Sequence, residues 1–85
     1  MAQVTVYTAL VCPFCVRAKR LLDHKGVPYE EVDVSSDAAL RDKMVEDSGR
    51  RTVPQIFIDG SPIGGYQELQ ILENNGDLDS LLGLA

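Results

Sequence analysis

Val4-Thr5-Val6-Tyr7-Thr8 alternates along its length, and after Ala9-Leu10-Val11 the tetrapeptide Cys12-Pro13-Phe14-Cys15 opens a pattern that runs to Lys25. A two-residue period reads as a strand, and the spacing of Cys15, Ala18 and Leu22, with Phe14 and Leu21, reads as an amphipathic helix. This order predicts that Cys12 sits at or just before the first helical turn. Backbone N–H groups there have no intrahelical acceptor, and the positive end of the helix dipole favours a thiolate over a thiol. Cys15 follows one turn in, on the same side, close enough to form a disulfide with Cys12 and be released from it. Pro13 suits the first turn, which has no intrahelical N–H bond to lose. Phe14 is expected beside the thiol, partly exposed.

Other uses of the pair carry less weight. A structural disulfide across so small a loop constrains little of the unfolded chain. Zinc needs four ligands, and two cysteines with the single His24 supply them only if two chains share the site. Haem attachment needs a histidine after the second cysteine, where Val16 stands. Dithiol redox chemistry is the leading reading, and a bridging metal or cluster is the main alternative. His24 belongs to the last turn of the first helix, complementing its dipole with Lys25.

Reading outward, Gly26 ends the first helix, Tyr29 to Val34 alternates as a second strand, and Ser35 or Ser36 is placed to cap a second helix through Asp47 built on Leu40, Met44 and Val45. Gly49 closes that helix. Pro54-Gln55-Ile56-Phe57-Ile58 reads as a third strand, Asp59-Gly60 as a tight hairpin turn and Ser61 to Gly64 as a short fourth strand. Tyr66 to Asn75 gives a third helix on Leu69 and Leu72, stopped at Gly76, and Asp77 is placed to cap a last turn carrying Leu78, Leu81 and Leu82. The order β-α-β-α-β-β-α predicts an α/β fold with one four-stranded mixed sheet and helices on both faces.

Eighty-five residues make one small domain, residues 1–85, without room for a second core. Neither a signal region nor a run long enough to cross a membrane is evident, so the expected location is cytoplasmic. Both cysteines fall in the one motif, which in a reducing compartment points to catalysis. A formal net charge of -5 argues against general affinity for nucleic acid or anionic membrane.

Three segments have their own physical readings. Thr52-Val53-Pro54 ahead of a strand fits either a cis Val53-Pro54 peptide that turns the Val53 backbone outward, or a trans proline starting an edge strand. Gly64-Gly65 ahead of a helix allows close backbone approach and presents N–H groups suited to a carboxylate, although a hairpin exit with flexible glycines would look the same in sequence. Arg50-Arg51 is the only adjacent arginine pair, lying just before the Thr52-Val53-Pro54 edge, with solvated surface charge as the default explanation.

Taken together, Cys12-Pro13-Phe14-Cys15, then Thr52-Val53-Pro54-Gln55-Ile56-Phe57-Ile58, then Gly64-Gly65 opening a helix, resemble a glutaredoxin of the small bacterial dithiol kind over nearly the whole chain. The resemblance implies the thioredoxin fold, a cis Val53-Pro54 bond and a glutathione-dependent thiol-disulfide oxidoreductase that reduces glutathione mixed disulfides and protein disulfides, with Cys12 and Cys15 catalytic. It places the cysteinyl backbone of glutathione on Val53, the γ-glutamyl carboxylate on the N–H groups of Tyr66 and Gln67 beside Gly65, and the glycyl carboxylate on Arg51 and more loosely Arg41. Thr52 and Pro54 complete that set, and Pro13, Phe14 and Gly64 support it. Glutathione is then reductant and co-substrate, itself kept reduced by glutathione reductase. No metal is expected. The protein is expected to be monomeric, and ribonucleotide reductase is among the partners the resemblance allows.

Two rival readings remain: a redoxin recharged by thioredoxin reductase, and an iron-sulfur carrier in which Cys12 of two chains and two glutathione molecules hold a cluster. Gly64-Gly65 and the arginines argue against the first, and Pro13 against the second by analogy with the family. The chain departs from the family pattern at Ala9, where a lysine is usual, and at Gln67-Glu68, where an aspartate commonly follows the glycines.

Overall fold

A computed structural model of the chain describes residues 2–84. The elements follow in the order β1 (Val4–Thr8), α1 (Pro13–His24), β2 (Glu30–Asp33), α2 (Ala38–Ser48), β3 (Gln55–Ile58), β4 (Ser61–Gly64), α3 (Tyr66–Asn74) and α4 (Asp77–Leu82). The sheet has four strands in the order β2-β1-β3-β4. The α1 crossover makes β2 parallel to β1, whereas β3 runs antiparallel to both β1 and β4. The β3-β4 turn has Asp59 at φ 51° and Gly60 at φ 81°, the doubly left-handed backbone that matches the twist of a two-residue hairpin.

The sheet separates two apolar clusters. On one face Val4 and Val6 of β1 and Ile56 and Ile58 of β3 meet Ala18 and Leu22 of α1, Leu69 of α3, and Leu78 and Leu82 of α4. On the other face Tyr7 and Phe57 meet Val34 and Met44, with Leu40 and Val45 of α2 packed against them. Each fully buried leucine of this kind contributes about 1.5 to 3 kcal/mol. The alternation in β1 is therefore a division between two cores, and Thr8, on the same side of the strand as Val4 and Val6, is buried with its hydroxyl donating to Glu31 Oε2 at 2.9 Å.

Helix boundaries differ from expectation at two starts. Asp37, not Ser35 or Ser36, is the N-cap of α2, its carboxylate accepting the Leu40 N–H at 3.1 Å. Ser35 is engaged elsewhere, since its hydroxyl accepts the Leu10 N–H and its own N–H donates to Asp33 Oδ1. Gly76, in the left-handed region at φ 79°, is the N-cap of α4, so Asp77 becomes that helix's first residue rather than its cap. The α2 helix ends as expected at Gly49, which is left-handed at φ 75°.

Candidate active site

Cys12 is the N-cap of α1, extended at φ −126° and ψ 97°, with Pro13 in the first helical position. Its Sγ accepts the Cys15 N–H at 3.2 Å, and the first turn of α1 holds no acidic side chain. An N–H donor and the helix dipole both stabilise negative charge on this sulfur, with no carboxylate in that turn to oppose them. Cys12 and Cys15 are joined in a disulfide with Cα atoms 5.2 Å apart. The two cysteines differ in access: Cys12 is half-buried, while Cys15 is only 2% exposed because its place on α1 faces the core.

Cys12 Sγ lies 3.9 Å from the Val53 carbonyl oxygen. In the disulfide that sulfur has no proton to donate, so the contact is one of packing. Val53-Pro54 is cis. From this point a groove of about 460 Å³ opens between the Thr52-Val53-Pro54 segment and the start of α3, where Gly65, Tyr66 and Gln67 form the opposite wall. That volume falls within the range of small-molecule sites. Phe14 flanks the groove at the cysteine end, its ring stacked on Tyr66 with centroids 6.1 Å apart, and the Arg17 guanidinium lies 5.3 Å from the Phe14 centroid. The Tyr66 hydroxyl donates to Gln70 Oε1 at 2.7 Å, fixing the aromatic wall to its own helix.

The α3 end of the groove is organised by Glu68. Its Oε1 accepts both the Gly65 N–H and Arg50 Nη1, each at 2.7 Å. The Arg50 guanidinium, and next the Gly65 N–H, hold the Glu68 carboxyl below its usual range. Gly65 has no side chain, so only half of a capping box forms, with the N3 glutamate reaching back to the cap. Gly64 is needed for this closure. It sits at φ 116°, and a Cβ there would lie 2.6 Å from Glu68 Oε1 and 2.8 Å from Glu68 Cγ.

The groove thus brings together Phe14, Thr52, Val53, Pro54, Gly65, Tyr66 and Gln67. Arg41 and Arg51 do not line it: Arg51 is exposed and its carbonyl accepts Arg41 Nη1 at 3.1 Å. The arginine on the groove wall is Arg50. Sequence reasoning passed over Arg50 as an individual, Glu68 as a cap, and Gln55. The spacing Gly65-x-x-Glu68 is a readable signal for the cap. Gln55 is 1% exposed, and its Nε2 donates to the Thr52 carbonyl at 2.9 Å and the Thr52 hydroxyl at 3.2 Å. A polar residue heading an otherwise apolar strand was the available sign that it serves the adjoining turn.

Comparison with known proteins agrees with this geometry. A family model described as Glutaredoxin matches residues 4–63. The chain is 51% identical over 82 residues to Glutaredoxin 3 of Escherichia coli (strain K12), covering 96% of this chain and 99% of that protein. A crystal structure of a buckwheat glutaredoxin-glutathione complex superposes with a TM-score of 0.88 at 30% identity, covering 96% of this chain and 77% of the other. The solution structure of glutaredoxin from Brucella melitensis does so at 0.86 and 49% identity, covering 99% and 91% respectively. A disulfide-linked pair at a helix N-terminus, heading a groove on a thioredoxin-fold sheet, belongs with these matches, and the chain is a member of the glutaredoxin family of glutathione-dependent thiol-disulfide oxidoreductases.

Proposed function

We propose that this chain, acting as one domain over residues 1–85, removes glutathione from mixed disulfides and reduces protein disulfides, with Cys12 as nucleophile and Cys15 as resolving thiol. The observation that carries the assignment is the contrast between a half-buried Cys12 at the α1 N-terminus, its sulfur 3.9 Å from the Val53 carbonyl oxygen, and a Cys15 that is 2% exposed. The Cys12 thiolate attacks the glutathionyl sulfur. A new Cys12–glutathione S–S bond forms, the old S–S bond breaks, and the substrate leaves as a thiolate that takes a proton from solvent. A second glutathione thiolate then attacks the bound glutathionyl sulfur, giving glutathione disulfide and restoring the Cys12 thiolate. On a protein disulfide, Cys15 attacks the Cys12–protein mixed disulfide, releasing the second protein thiol and leaving the Cys12–Cys15 disulfide.

In this reading glutathione, as co-substrate, lies along the groove with its cysteinyl backbone on Val53, between Thr52 and Pro54. Its γ-glutamyl carboxylate rests on the N–H groups of Tyr66 and Gln67, which as the first residues of α3 have no intrahelical acceptor. Arg51 and Arg41 are the candidates for the glycyl carboxylate, and a fork of two N–H donors suits that group. Partners are glutathionylated proteins and protein disulfides, ribonucleotide reductase among them, with glutathione reductase supplying reduced glutathione. The protein works as a monomer in the cytoplasm. No helix among the described residues is long and apolar enough to cross a membrane.

The test is turnover of a glutathionylated substrate with NADPH, glutathione and glutathione reductase, run beside a reaction in which thioredoxin reductase replaces the last two. Turnover only with the glutathione system is expected. Turnover driven by thioredoxin reductase alone would contradict the assignment.

A further inference from the structure

Leu10 is 73% exposed and Val11 98%, the two most exposed large apolar side chains among the described residues. They occupy the short link between β1 and Cys12, so they adjoin the reactive sulfur. Neither lines the groove, which opens on the Val53 and Tyr66 side of the cysteine pair. The link is held in place. The Leu10 N–H donates to Ser35 Oγ at 2.6 Å, and the Ser35 N–H in turn donates to Asp33 Oδ1 at 2.7 Å. Val11 sits at φ 52°, a left-handed conformation that β-branched residues avoid and that persists only where neighbouring structure fixes it. Two aliphatic side chains are therefore held out in water beside the nucleophile instead of folding onto the surface.

Reaction geometry gives this patch an occupant. Any sulfur attacked by Cys12 must come to bonding distance, and when that sulfur belongs to a protein the residues flanking it are brought against the rim of the site. That rim runs Ala9-Leu10-Val11-Cys12-Pro13-Phe14-Cys15-Val16 without one charged residue and ends in Arg17, whose guanidinium lies over Phe14. It is matched to apolar neighbours and opposed to cationic ones. We propose that Leu10 and Val11 dock the protein half of the substrate and select target cysteines flanked by apolar side chains, while the groove takes the glutathionyl half. This rests on the glutathione-linked reading above and adds a substrate class to it.

The experiment compares kcat/KM of the full chain and of the Leu10→Gln, Val11→Thr double variant on three substrates. These are a glutathionylated peptide with leucine and valine beside its cysteine, a peptide of equal length with serine and glutamine there, and the mixed disulfide of glutathione with 2-mercaptoethanol. The unaltered chain is expected to favour the apolar peptide by about five-fold, from partial burial of two aliphatic side chains. The double variant is expected to lose that preference and keep its rate on the small disulfide. Val11→Thr alone, nearly isosteric and still β-branched, gives a smaller loss in the same direction and serves if the double variant does not fold. Equal use of the two peptides by the unaltered chain, or a preference that survives in both variants, overturns the proposal. So does self-association on sedimentation that the double variant abolishes, because the patch would then be covered by a second copy. Failure of the glutathione reading is separately visible, as no turnover of the small disulfide by the unaltered chain.

Discussion

Cys12 and Cys15 share one helical turn and differ in access, and at the scale of single residues that difference underlies the separate roles proposed for them. Cys12→Ser is expected to abolish all turnover. Cys15→Ser is expected to keep removal of glutathione from mixed disulfides while losing most reduction of protein disulfides, because resolution needs the second thiol. Parallel assays on the two substrate types check this, and equal loss of both activities in Cys15→Ser would refute it. A second residue-scale prediction concerns Glu68, whose carboxyl is held below its usual range by Arg50 and then by the Gly65 N–H. A lowered folded-state value means the carboxylate adds stability at pH values above the unfolded value, about 4.3, and that this is lost as pH falls through the folded value. Glu68→Gln should therefore cost about 0.5 to 1 kcal/mol near neutral pH, small because both partners of the ion pair are part-exposed. Denaturant melts should show the gap between the two proteins closing below about pH 4. The cysteine pair was legible from four consecutive letters because a local motif contains the whole of its geometry. Arg50-Glu68 was not, because its partners lie 18 residues apart in the chain and only the fold brings them together.

At the scale of elements, the strands and helices followed from period and punctuation, while their caps depended on competition for side chains. Ser35 and Asp37 are both good cap residues by type. Ser35 is drawn to the Leu10 N–H on the neighbouring loop, a contact outside the reach of local sequence, and Asp37 is left to cap α2. Asp37→Ala is expected to lower stability by about 1 kcal/mol, and Ser36→Ala by much less. Thermal melts of the two variants decide between them. Gly64 joins β4 to α3 in a conformation that its neighbours require, so Gly64→Ala should strain the backbone and push a methyl group into Glu68. A loss of about 1 to 3 kcal/mol is expected, with weaker use of glutathionylated substrate because the closure at Gly65 is disturbed. Unchanged melting and kinetics would mean that this corner relaxes freely.

At the scale of the whole molecule, an acidic chain with a net charge of -5 must take up an anionic tripeptide, so the few cations near the groove carry unusual weight. Ala9, where the family usually has lysine, is part-exposed three residues before Cys12. Ala9→Lys is expected to raise kcat/KM for glutathionylated substrate by a few-fold at low salt, since a solvated charge pair contributes about 0.2 to 1 kcal/mol, and the gain should shrink as salt rises. Kinetics at two ionic strengths test this, and a gain indifferent to salt would place Ala9 away from the glutathione path. The whole account turns on Cys12 being the atom that accepts the glutathionyl group, and one measurement addresses that directly: intact-mass and peptide mapping of Cys15→Ser and Cys12→Ser after brief exposure to glutathione disulfide. A single glutathionyl adduct on Cys12 of Cys15→Ser, and none on Cys12→Ser, is the expected result. An adduct on Cys15 of Cys12→Ser, formed as fast as that on Cys12, would contradict it.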